Sequence, residues 1–258
     1  MDLRLQGKAA LITGGSRGIG RAIAHSFAAE GADIAICARD ESQLKLAVTD
    51  LQRHGTRVIG IVADVTHTGD TESFVGRAVG QLGRLDALVC NVGGREGEGL
   101  EDSTNEDWMK TFDLNLFHAV RAARASIPHF RSGDGGSITI ISSISGWKPA
   151  PSRAQYGATK ASEIFLAGAL AWELAEIGVR VNTVCPGSTV FEGGGWERFK
   201  VDSPEEYARF AQNEFPSKRL GTPGEIADVT VFLASDRASW VNGASIPVDG
   251  AQGRPNAF

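Results

Sequence analysis

Residues 9–20 read A-A-L-I-T-G-G-S-R-G-I-G. The first four are apolar and predict a buried strand, and the spacing of apolar residues over 19–30 predicts an amphipathic helix. Between them, Gly14, Gly18 and Gly20 allow a tight turn whose backbone can approach a pyrophosphate, which the free N–H groups of a helix start would bind. This order favours a dinucleotide-binding unit, although an ordinary tight connection gives the same local pattern.

The rest of the chain alternates strand-like runs with helices. Six further strands are predicted at Asp33–Ala38, Val58–Val62, Ala87–Cys90, Ser137–Ser142, Val179–Val184 and Ile246–Val248. Seven strands alternating with helices predict a Rossmann-type, doubly wound parallel sheet with helices on both faces. We expect residues 1–258 to form a single domain.

The helices between the strands are predicted from apolar spacing and from start signals. Apolar spacing predicts one helix over Glu41–His54 and a long helix after Tyr156 that carries apolar Ala161, Phe165 and Trp172. Start signals predict three more helices, at a capping box of Ser103 and Glu106, at the pair Ser203–Pro204, and at a capping box of Thr222 and Glu225.

The composition indicates one α/β domain and excludes several functional classes. With 258 residues, 42% of them hydrophobic, the chain can bury a full core, and a formal charge of −5 argues against nucleic-acid binding. No apolar run approaches the ~18 residues of a membrane-spanning helix, and the chain enters its first strand without room for a signal peptide. Cys37, Cys90 and Cys185 match no metal-site spacing and indicate buried, reduced thiols in a cytoplasmic protein.

A second pattern is the pair Tyr156 and Lys160, four residues apart in the predicted long helix. Residues i and i+4 share a helix face, so the two side chains are expected side by side. A phenol ionises near pH ~10, and acid–base work at neutral pH needs its ionisation lowered by about three units, or about 4 kcal/mol. One ammonium at about 4–5 Å supplies roughly 3–4 kcal/mol at an effective dielectric constant near 20. The alternative is a half-buried aromatic beside a solvated lysine.

Six ordered motifs together resemble the short-chain dehydrogenase/reductase family, in its branch of single-domain chains of about this length. They are the T-G-x-x-x-G-x-G turn, N-V-G after the fourth strand, Asn115, Ser143, Y-x-x-x-K and a later P-G, and the similarity runs from about Leu5 to Gly250. The resemblance implies an enzyme that interconverts a ketone or aldehyde and an alcohol with a nicotinamide cofactor.

The resemblance also implies a catalytic group of Asn115, Ser143, Tyr156 and Lys160. Ser143 and Tyr156 would hydrogen-bond the carbonyl oxygen, and Tyr156 would transfer the proton. Lys160 would stabilise the phenolate and contact the nicotinamide ribose, and Asn115 would order a water that returns the proton. Because asparagine is unfavourable inside a helix, we expect a kink or water site there, a merely tolerated polar residue being the alternative. The expected cofactor contacts are Gly14, Ser16, Arg17, Gly18, Ile19, Gly20, Arg39, Asp64, Val65, Asn91, Gly93, Tyr156, Lys160, Pro186, Gly187 and Thr189.

The chain departs from the family pattern in two places. Where the family usually shows N-N-A-G, Cys90 and Val92 replace the first asparagine and the alanine. The family's P-G-x-x-x-T reads P-G-S-T-V-F here, so Phe191 stands where a threonine that touches the nicotinamide is expected. Either Ser188 or Thr189 could substitute for it.

The residues after the second strand favour NADP(H) over NAD(H). Relatives that use NAD commonly carry an acidic residue at the position of Ala38, whereas here Arg39 follows and Arg17 lies in the glycine turn. A guanidinium binds a phosphate through a fixed fork of donors, so two arginines would attract the 2′-phosphate. The alternative is that both are solvated surface residues. Asp40, turned inward, would oppose the phosphate.

The substrate stays open at this point. The glycines in E-G-G-G-W-E-R-F-K suggest a hinge for a substrate lid at about 188–222, and Trp147, Arg153, Glu192, Trp196 and the 93–99 loop are candidate pocket residues. By resemblance we expect a homotetramer that acts on a small molecule, without nucleic-acid, membrane or metal partners. Two alternatives remain, an NAD-linked alcohol or sugar dehydrogenase and a nucleotide-binding regulator without turnover.

Overall fold

The computed structural model describes residues 1–253. The strands in this range are β1 (Ala9–Thr13), β2 (Asp33–Ala38), β3 (Val58–Val62), β4 (Ala87–Cys90), β5 (Gly136–Ile141), β6 (Val179–Pro186) and β7 (Ser245–Val248). The α-helices are α1 (Gly18–Ala29), α2 (Glu41–Leu51), α3 (Asp70–Leu82), α4 (Asn105–Phe112), α5 (His118–Ser132), α6 (Ala154–Glu173), α7 (Gly195–Asp202), α8 (Pro204–Glu214) and α9 (Pro223–Ala234).

All seven strands form one parallel sheet in the order β3-β2-β1-β4-β5-β6-β7. The order reverses beside β1, which pairs with β2 on one side and with β4 on the other. In sheets of this kind a ligand cleft lies beyond the carboxyl ends of the strands at the reversal. The predicted doubly wound parallel sheet is confirmed.

Helices bury both faces of the sheet. Successive residues of β1 point to opposite faces, so Leu11 packs in an apolar cluster with α3, α5 and α6, while Ile12 packs with α1, α2 and α9. In α1, Ile23 and Phe27 lie one turn apart and are fully buried. Each such side chain contributes about 1.5–3 kcal/mol through removal from water, which fixes α1 and its amino terminus against the sheet.

Two predicted helix starts differ from the structure. The capping box of α4 is formed by Thr104 and Asp107, one residue beyond the predicted pair. The Ser103 hydroxyl instead lies 3.3 Å from the side-chain nitrogen of Gln155 in α6, so a tertiary contact takes the residue away from the cap. At α8, Pro204 occupies the first turn as predicted, but the Ser203 side chain makes no capping hydrogen bond. The predicted capping box of Thr222 and Glu225 is present.

The helix that carries Asn115 is interrupted, as its sequence predicts. Between α4 and α5, residues Asp113–Phe117 form a π-helical turn. The Asn115 side-chain nitrogen donates to the carbonyl oxygens of Thr111 at 2.6 Å and Gly94 at 2.7 Å. Single π-helical turns often mark functional positions. Here the turn fastens the helix to the loop after β4.

Two of the apolar residues that predict α6 face outward. Phe165 is 81% exposed and Trp172 is 90% exposed, whereas Ala167 and Ala171 face the core. Hydrophobic spacing therefore predicts the helix correctly, but part of the apolar stripe covers no core of this chain. No helix within residues 1–253 is long and apolar enough to cross a membrane.

Candidate active site

A cleft of about 570 Å³ opens beyond the carboxyl ends of the strands. It collects every predicted cofactor contact and three of the four predicted catalytic residues. The predicted residues that line it are Gly14, Ser16, Arg17, Gly18, Ile19, Gly20, Arg39, Asp64, Val65, Asn91, Gly93, Ser143, Tyr156, Lys160, Pro186, Gly187 and Thr189. Residues from distant parts of the chain therefore share one site.

The glycine turn forms the floor of the cleft. Gly14 and Gly18 have positive φ angles of 68° and 55°, which side chains rarely tolerate. A Cβ atom at Gly20 would overlap the carbonyl oxygen of Gly14, so the first turn of α1 packs directly on the loop. The side chain of the N-cap residue, Arg17, makes no capping hydrogen bond to α1 among the described residues, and the first N–H groups of the helix are left at the cleft. This is the geometry that a diphosphate requires.

Asn91 holds the end of β4 against the glycine turn. Its side-chain nitrogen donates to the carbonyl oxygens of Thr13 at 3.0 Å and Gly14 at 3.3 Å, and its backbone N–H donates to the Thr13 hydroxyl at 2.9 Å. The same hydroxyl lies 3.3 Å from Nε2 of His118, which is fully buried. Thr13 thus joins β1, β4 and α5 at the point where the sheet reverses.

Tyr156 and Lys160 lie together, as their spacing predicts. The Lys160 Nζ atom is 5.6 Å from the centre of the Tyr156 ring, and both residues line the cleft with Ser143. Tyr156 is half-buried, and Lys160 is only 2% exposed. The Ser143 hydroxyl accepts the backbone N–H of Ser145 at 3.1 Å, so its own proton is free to point into the cleft.

Glu163 is a neighbour of this group that the sequence analysis missed. Nζ of Lys160 donates to Oε1 of Glu163 at 3.0 Å, lies 3.0 Å from Oε2, and donates to the Ile141 carbonyl at 3.1 Å. Burial favours the neutral amine, but the Glu163 carboxylate and then the Tyr156 phenol outweigh it, so the pKa of Lys160 is raised. Burial raises the pKa of Glu163, with the Lys160 ammonium opposing. The signal was its position three residues after Lys160, on the same helix face.

Asn115 is the one predicted catalytic residue that does not line the cleft. It is fully buried behind Gly93 and Gly94, and its side-chain oxygen accepts the Gly94 N–H at 3.2 Å. A Cβ atom at Gly93 would lie 3.0 Å from both this oxygen and Nζ of Lys160. The Asn115 side chain therefore holds the loop beside Lys160 from behind the cleft.

The far end of the cleft carries the two arginines. Arg39 is 75% exposed in its side chain, and its nearest acidic partner, Asp64, is 3.8 Å away. Asp64 accepts hydrogen bonds from the Thr66 backbone N–H and from the Thr66 hydroxyl. Burial alone would raise the pKa of Asp64, but these two hydrogen bonds and the Arg39 charge outweigh burial, so the pKa is lowered. The Asp40 carboxylate caps α2 by accepting the Gln43 N–H at 3.0 Å. Arg17 is exposed at the start of α1.

The P-G-S-T-V-F segment separates its side chains. Ser188 is buried and its hydroxyl accepts the Gln252 side-chain nitrogen at 2.9 Å, whereas Thr189 lines the cleft and donates to the Gly187 carbonyl at 3.1 Å. Of the two candidates for the expected threonine, Thr189 is therefore the one that lines the cleft. The Phe191 ring packs on Gly18, where a Cβ atom would lie 2.8 Å from it.

Few of the candidate pocket residues reach the cleft. Trp196 in α7 lines it and stacks on Phe210 of α8 with ring centres 4.7 Å apart, whereas Trp147, Arg153 and Glu192 do not line it. Further residues line the cleft that were not among the predicted site residues, and most of them are apolar or small groups that only the packing brings there. They are Cys37, Ala38, Asp40, Gln43, Ala63, Val92, Leu114, Ile141, Ser142 and Phe191.

The three cysteines are free and buried, as predicted. Burial raises the pKa of Cys37 and of Cys185 to about 12, and it raises the pKa of Cys90 further. All three are therefore protonated at neutral pH and are poor nucleophiles.

Comparison with known proteins finds similarity along nearly the whole chain. A family described as enoyl-(acyl carrier protein) reductase matches residues 14–251. The dehydrogenase/reductase SDR family member 4 of Pongo abelii is 35% identical, over 95% of this chain and 87% of its own. L-sorbose reductase from Gluconobacter frateurii, solved with NADPH and L-sorbose, superposes with a TM-score of 0.93 at 32% identity and covers 99% of this chain and 100% of its own. A 7α-hydroxysteroid dehydrogenase solved with NADH and 7-oxo glycochenodeoxycholic acid has a TM-score of 0.90 at 29% identity, with coverages of 96% and 95%.

Proposed function

The chain belongs to the short-chain dehydrogenase/reductase family of oxidoreductases, and we propose that it is an NADP(H)-dependent member that interconverts a ketone or aldehyde and an alcohol. The observation that carries this proposal is the cleft itself. One end holds the glycine turn and two arginines, and the other holds Ser143, Tyr156 and Lys160. A dinucleotide and a small carbonyl compound need these two ends in one site.

The cleft residues fit a nicotinamide dinucleotide. The glycine turn leaves no room for side chains at Gly18 and Gly20, and the uncapped start of α1 offers N–H groups to a diphosphate. Asp64 and Val65 line the end suited to an adenine, and Asn91 and Thr189 line the other end. When bound, the cofactor supplies or accepts the hydride.

Ser143 and Tyr156 act on the substrate oxygen. In the direction of reduction, both hydroxyls donate hydrogen bonds to the carbonyl oxygen and stabilise the negative charge that grows on it. Tyr156 then passes its proton to that oxygen as the general acid, and in oxidation it removes the proton as the general base. The Ser143 oxygen accepts the Ser145 N–H, and this bond leaves the hydroxyl proton of Ser143 available to donate to the substrate.

Lys160 keeps a positive charge beside the phenol. Its ammonium lies 5.6 Å from the centre of the Tyr156 ring, within the range over which a cation interacts with an aromatic ring and its phenolate. Asn115 holds the loop that carries Gly93 and Gly94 next to this ammonium. Its role is to fix the position of Lys160 and of any water that exchanges protons with it.

Two arginines and the absence of a carboxylate at Ala38 support NADP(H) over NAD(H). Similar structures bind either cofactor, NADPH in the sorbose reductase and NADH in the hydroxysteroid dehydrogenase, so the preference depends on local residues. Arg39 is exposed and its contact with Asp64 is long, so it can turn to a 2′-phosphate. Asp40 is engaged in capping α2.

Arg39→Asp tests the cofactor preference. A charge-assisted hydrogen bond contributes about 1.5–3 kcal/mol, so the ratio of kcat/KM with NADP to that with NAD should fall roughly 10- to 150-fold. Arg131→Asp, an exposed arginine in the last turn of α5 that does not line the cleft, is the matched control. An unchanged ratio in Arg39→Asp would contradict the NADP proposal and favour the NAD-linked alternative.

Tyr156→Phe tests the chemistry. We expect turnover over a panel of ketones, aldehydes and alcohols to fall by about 10²–10⁴-fold, the usual contribution of a general acid–base. Tyr207→Phe is the matched control, because it removes the other phenol hydroxyl of the chain from a residue outside the cleft. Cofactor binding without turnover in the unmodified protein would favour the nucleotide-binding regulator.

The proposal extends to the segment after β6 and to assembly. We assign residues 188–222 to a lid over the substrate end, because α7 and α8 are joined by the stacked Trp196 and Phe210, and Trp196 reaches the cleft.

The exposed Phe165 and Trp172 support a homo-oligomer, expected to be a tetramer, in which α6 meets another subunit. The three buried thiols suit a reducing, cytoplasmic environment. Light scattering of Phe165→Glu should show a smaller particle than the unmodified protein.

A further inference from the structure

We propose that Glu163 is a positioning residue that keeps the Lys160 side chain charged at a place where burial would otherwise neutralise it. The side chains are 2% exposed for Lys160 and 1% for Glu163. They lie in successive turns of α6, and both Glu163 oxygens are 3.0 Å from Nζ. This inference rests on the proposed role of Lys160 beside Tyr156, and it adds a residue to that group.

Burial alone would remove the charge from Lys160. Transfer of an ammonium from water to a protein interior favours the neutral amine, and buried lysines lose their proton several pH units below their ordinary range. A neutral amine gives no electrostatic help to a phenolate. Lys160 therefore needs a buried anion for its proposed function.

The contacts place Glu163 where that anion is needed. Nζ of an ammonium carries only donors, and a protonated carboxyl group would turn an O–H toward it from one of its oxygens. Oε1 of Glu163 accepts a hydrogen bond from Nζ at 3.0 Å, and Oε2 also lies 3.0 Å from Nζ, which places both carboxyl oxygens beside the amine as in an ion pair. The Ile141 carbonyl, 3.1 Å from Nζ, accepts a second hydrogen bond.

The groups that face the pair from other elements cannot replace Glu163. Cys90 on β4 and Cys185 on β6 have raised pKa values and are neutral thiols. On α5, burial and then the Lys160 charge lower the pKa of His118 to about 3, so this ring is neutral too. Tyr156 is the group on which Lys160 is proposed to act. Among the described residues in contact with Nζ, Glu163 is thus the resident anion.

The pair also sets the direction in which Lys160 can act. An ammonium has three donors, and Glu163 and Ile141 take two of them. The third is left for the cleft, which Lys160 lines. The ammonium therefore reaches the ligand through one hydrogen bond and from a fixed position.

Equilibrium urea unfolding of Glu163→Gln between about pH 7 and pH 10 tests the inference without any substrate. In the variant, the native pKa of Lys160 should fall below its unfolded value, so the unfolded chain binds one more proton than the native protein within this window. Stability then rises with pH. The unfolding constant of Glu163→Gln relative to the unmodified protein should fall by up to tenfold per pH unit.

Glu173→Gln, an exposed glutamate at the end of the same helix, is the matched control and should show no such trend. Lys160→Met/Glu163→Gln should also lose the trend, because the titrating group is gone. A loss of stability in Glu163→Gln that is the same at every pH would overturn the inference, since it would indicate a packing role only.

If Glu163→Gln does not fold, the double variant decides. Recovery of folded protein in Lys160→Met/Glu163→Gln means that the unpaired ammonium caused the failure, as proposed. Failure of the double variant as well means that Glu163 is needed for packing, and the inference is wrong.

The outcome is separable from that of the proposed function. Activity that survives in Tyr156→Phe would end the proposed chemistry but leave the urea measurement intact. A flat pH trend for Glu163→Gln, together with an inactive Tyr156→Phe, would end the inference about Glu163 alone.

Discussion

His118 should make the protein sensitive to mild acid. The ring is fully buried, with Nε2 3.3 Å from the Thr13 hydroxyl. Burial, followed by the nearby Lys160 charge, lowers the pKa of His118 from 6.5 to about 3. The perturbation is His118→Gln, which keeps a polar side chain and removes the titration.

The size of the effect follows from proton linkage. Below pH ~6.5 the unfolded chain binds a proton at this residue that the native protein does not bind, so stability is lost as the pH falls. At about pH 5 the pH lies about 1.5 units below the histidine pKa of the unfolded chain, which is about 6.5. At about 1.36 kcal/mol per unit, the free energy of unfolding is lower by about 2 kcal/mol. The loss grows until the native ring is protonated, near the pKa of about 3.

Urea unfolding of the unmodified protein and of His118→Gln at about pH 7.5 and about pH 5 measures this difference. We expect the unmodified protein to lose about 2 kcal/mol more than the variant over this interval. His67→Gln, an exposed histidine, is the control and should follow the unmodified protein. Parallel pH dependence in the unmodified protein and His118→Gln would refute the reasoning, because it would mean that the buried ring is protonated equally in both states.

Three further predictions concern the glycine turn, a helix cap and the thiols. Gly20→Ala places a Cβ atom against the Gly14 carbonyl oxygen, so calorimetric titration with NADPH should show lost binding. Unchanged NADPH affinity would contradict the proposed role of the glycine turn. Thr222→Ala removes the capping box of α9 and should lower the free energy of unfolding by about 1 kcal/mol in urea, with Thr222→Ser retaining most of it. Because the pKa values of Cys37 and Cys185 are about 12, a disulfide reagent at about pH 8 should label the protein only after unfolding; rapid labelling of native protein would disagree.

Local sequence patterns predict most of the fold and the centre of the candidate active site. The bounds of β2, β3 and β4 agree with the predicted runs. The strands β2 and β4 are buried and read as apolar segments, whereas β3 is a partly exposed edge strand whose β-branched residues predict it. Tyr156 and Lys160 are neighbours through helix geometry alone, which needs no tertiary information.

Features that depend on contacts between distant segments could not be predicted in the same way. Ser103 and Thr104 both begin a capping pattern, and the contact of Ser103 with Gln155 selects the second. The sequence places Glu163 near Lys160, but its burial depends on how α6 packs against the sheet. Polar character gave no sign that Asn115 would lie behind the cleft, because its partner Gly94 belongs to another element.

The Phe191 ring on Gly18 links the glycine turn to the segment after β6. A Cβ atom at Gly18 would lie 2.8 Å from this ring, and the Phe191 carbonyl accepts the Gly194 N–H at 3.0 Å just before α7. The first turn of α1 and the start of α7 therefore meet through one aromatic side chain, so a displacement of either one would be felt by the other.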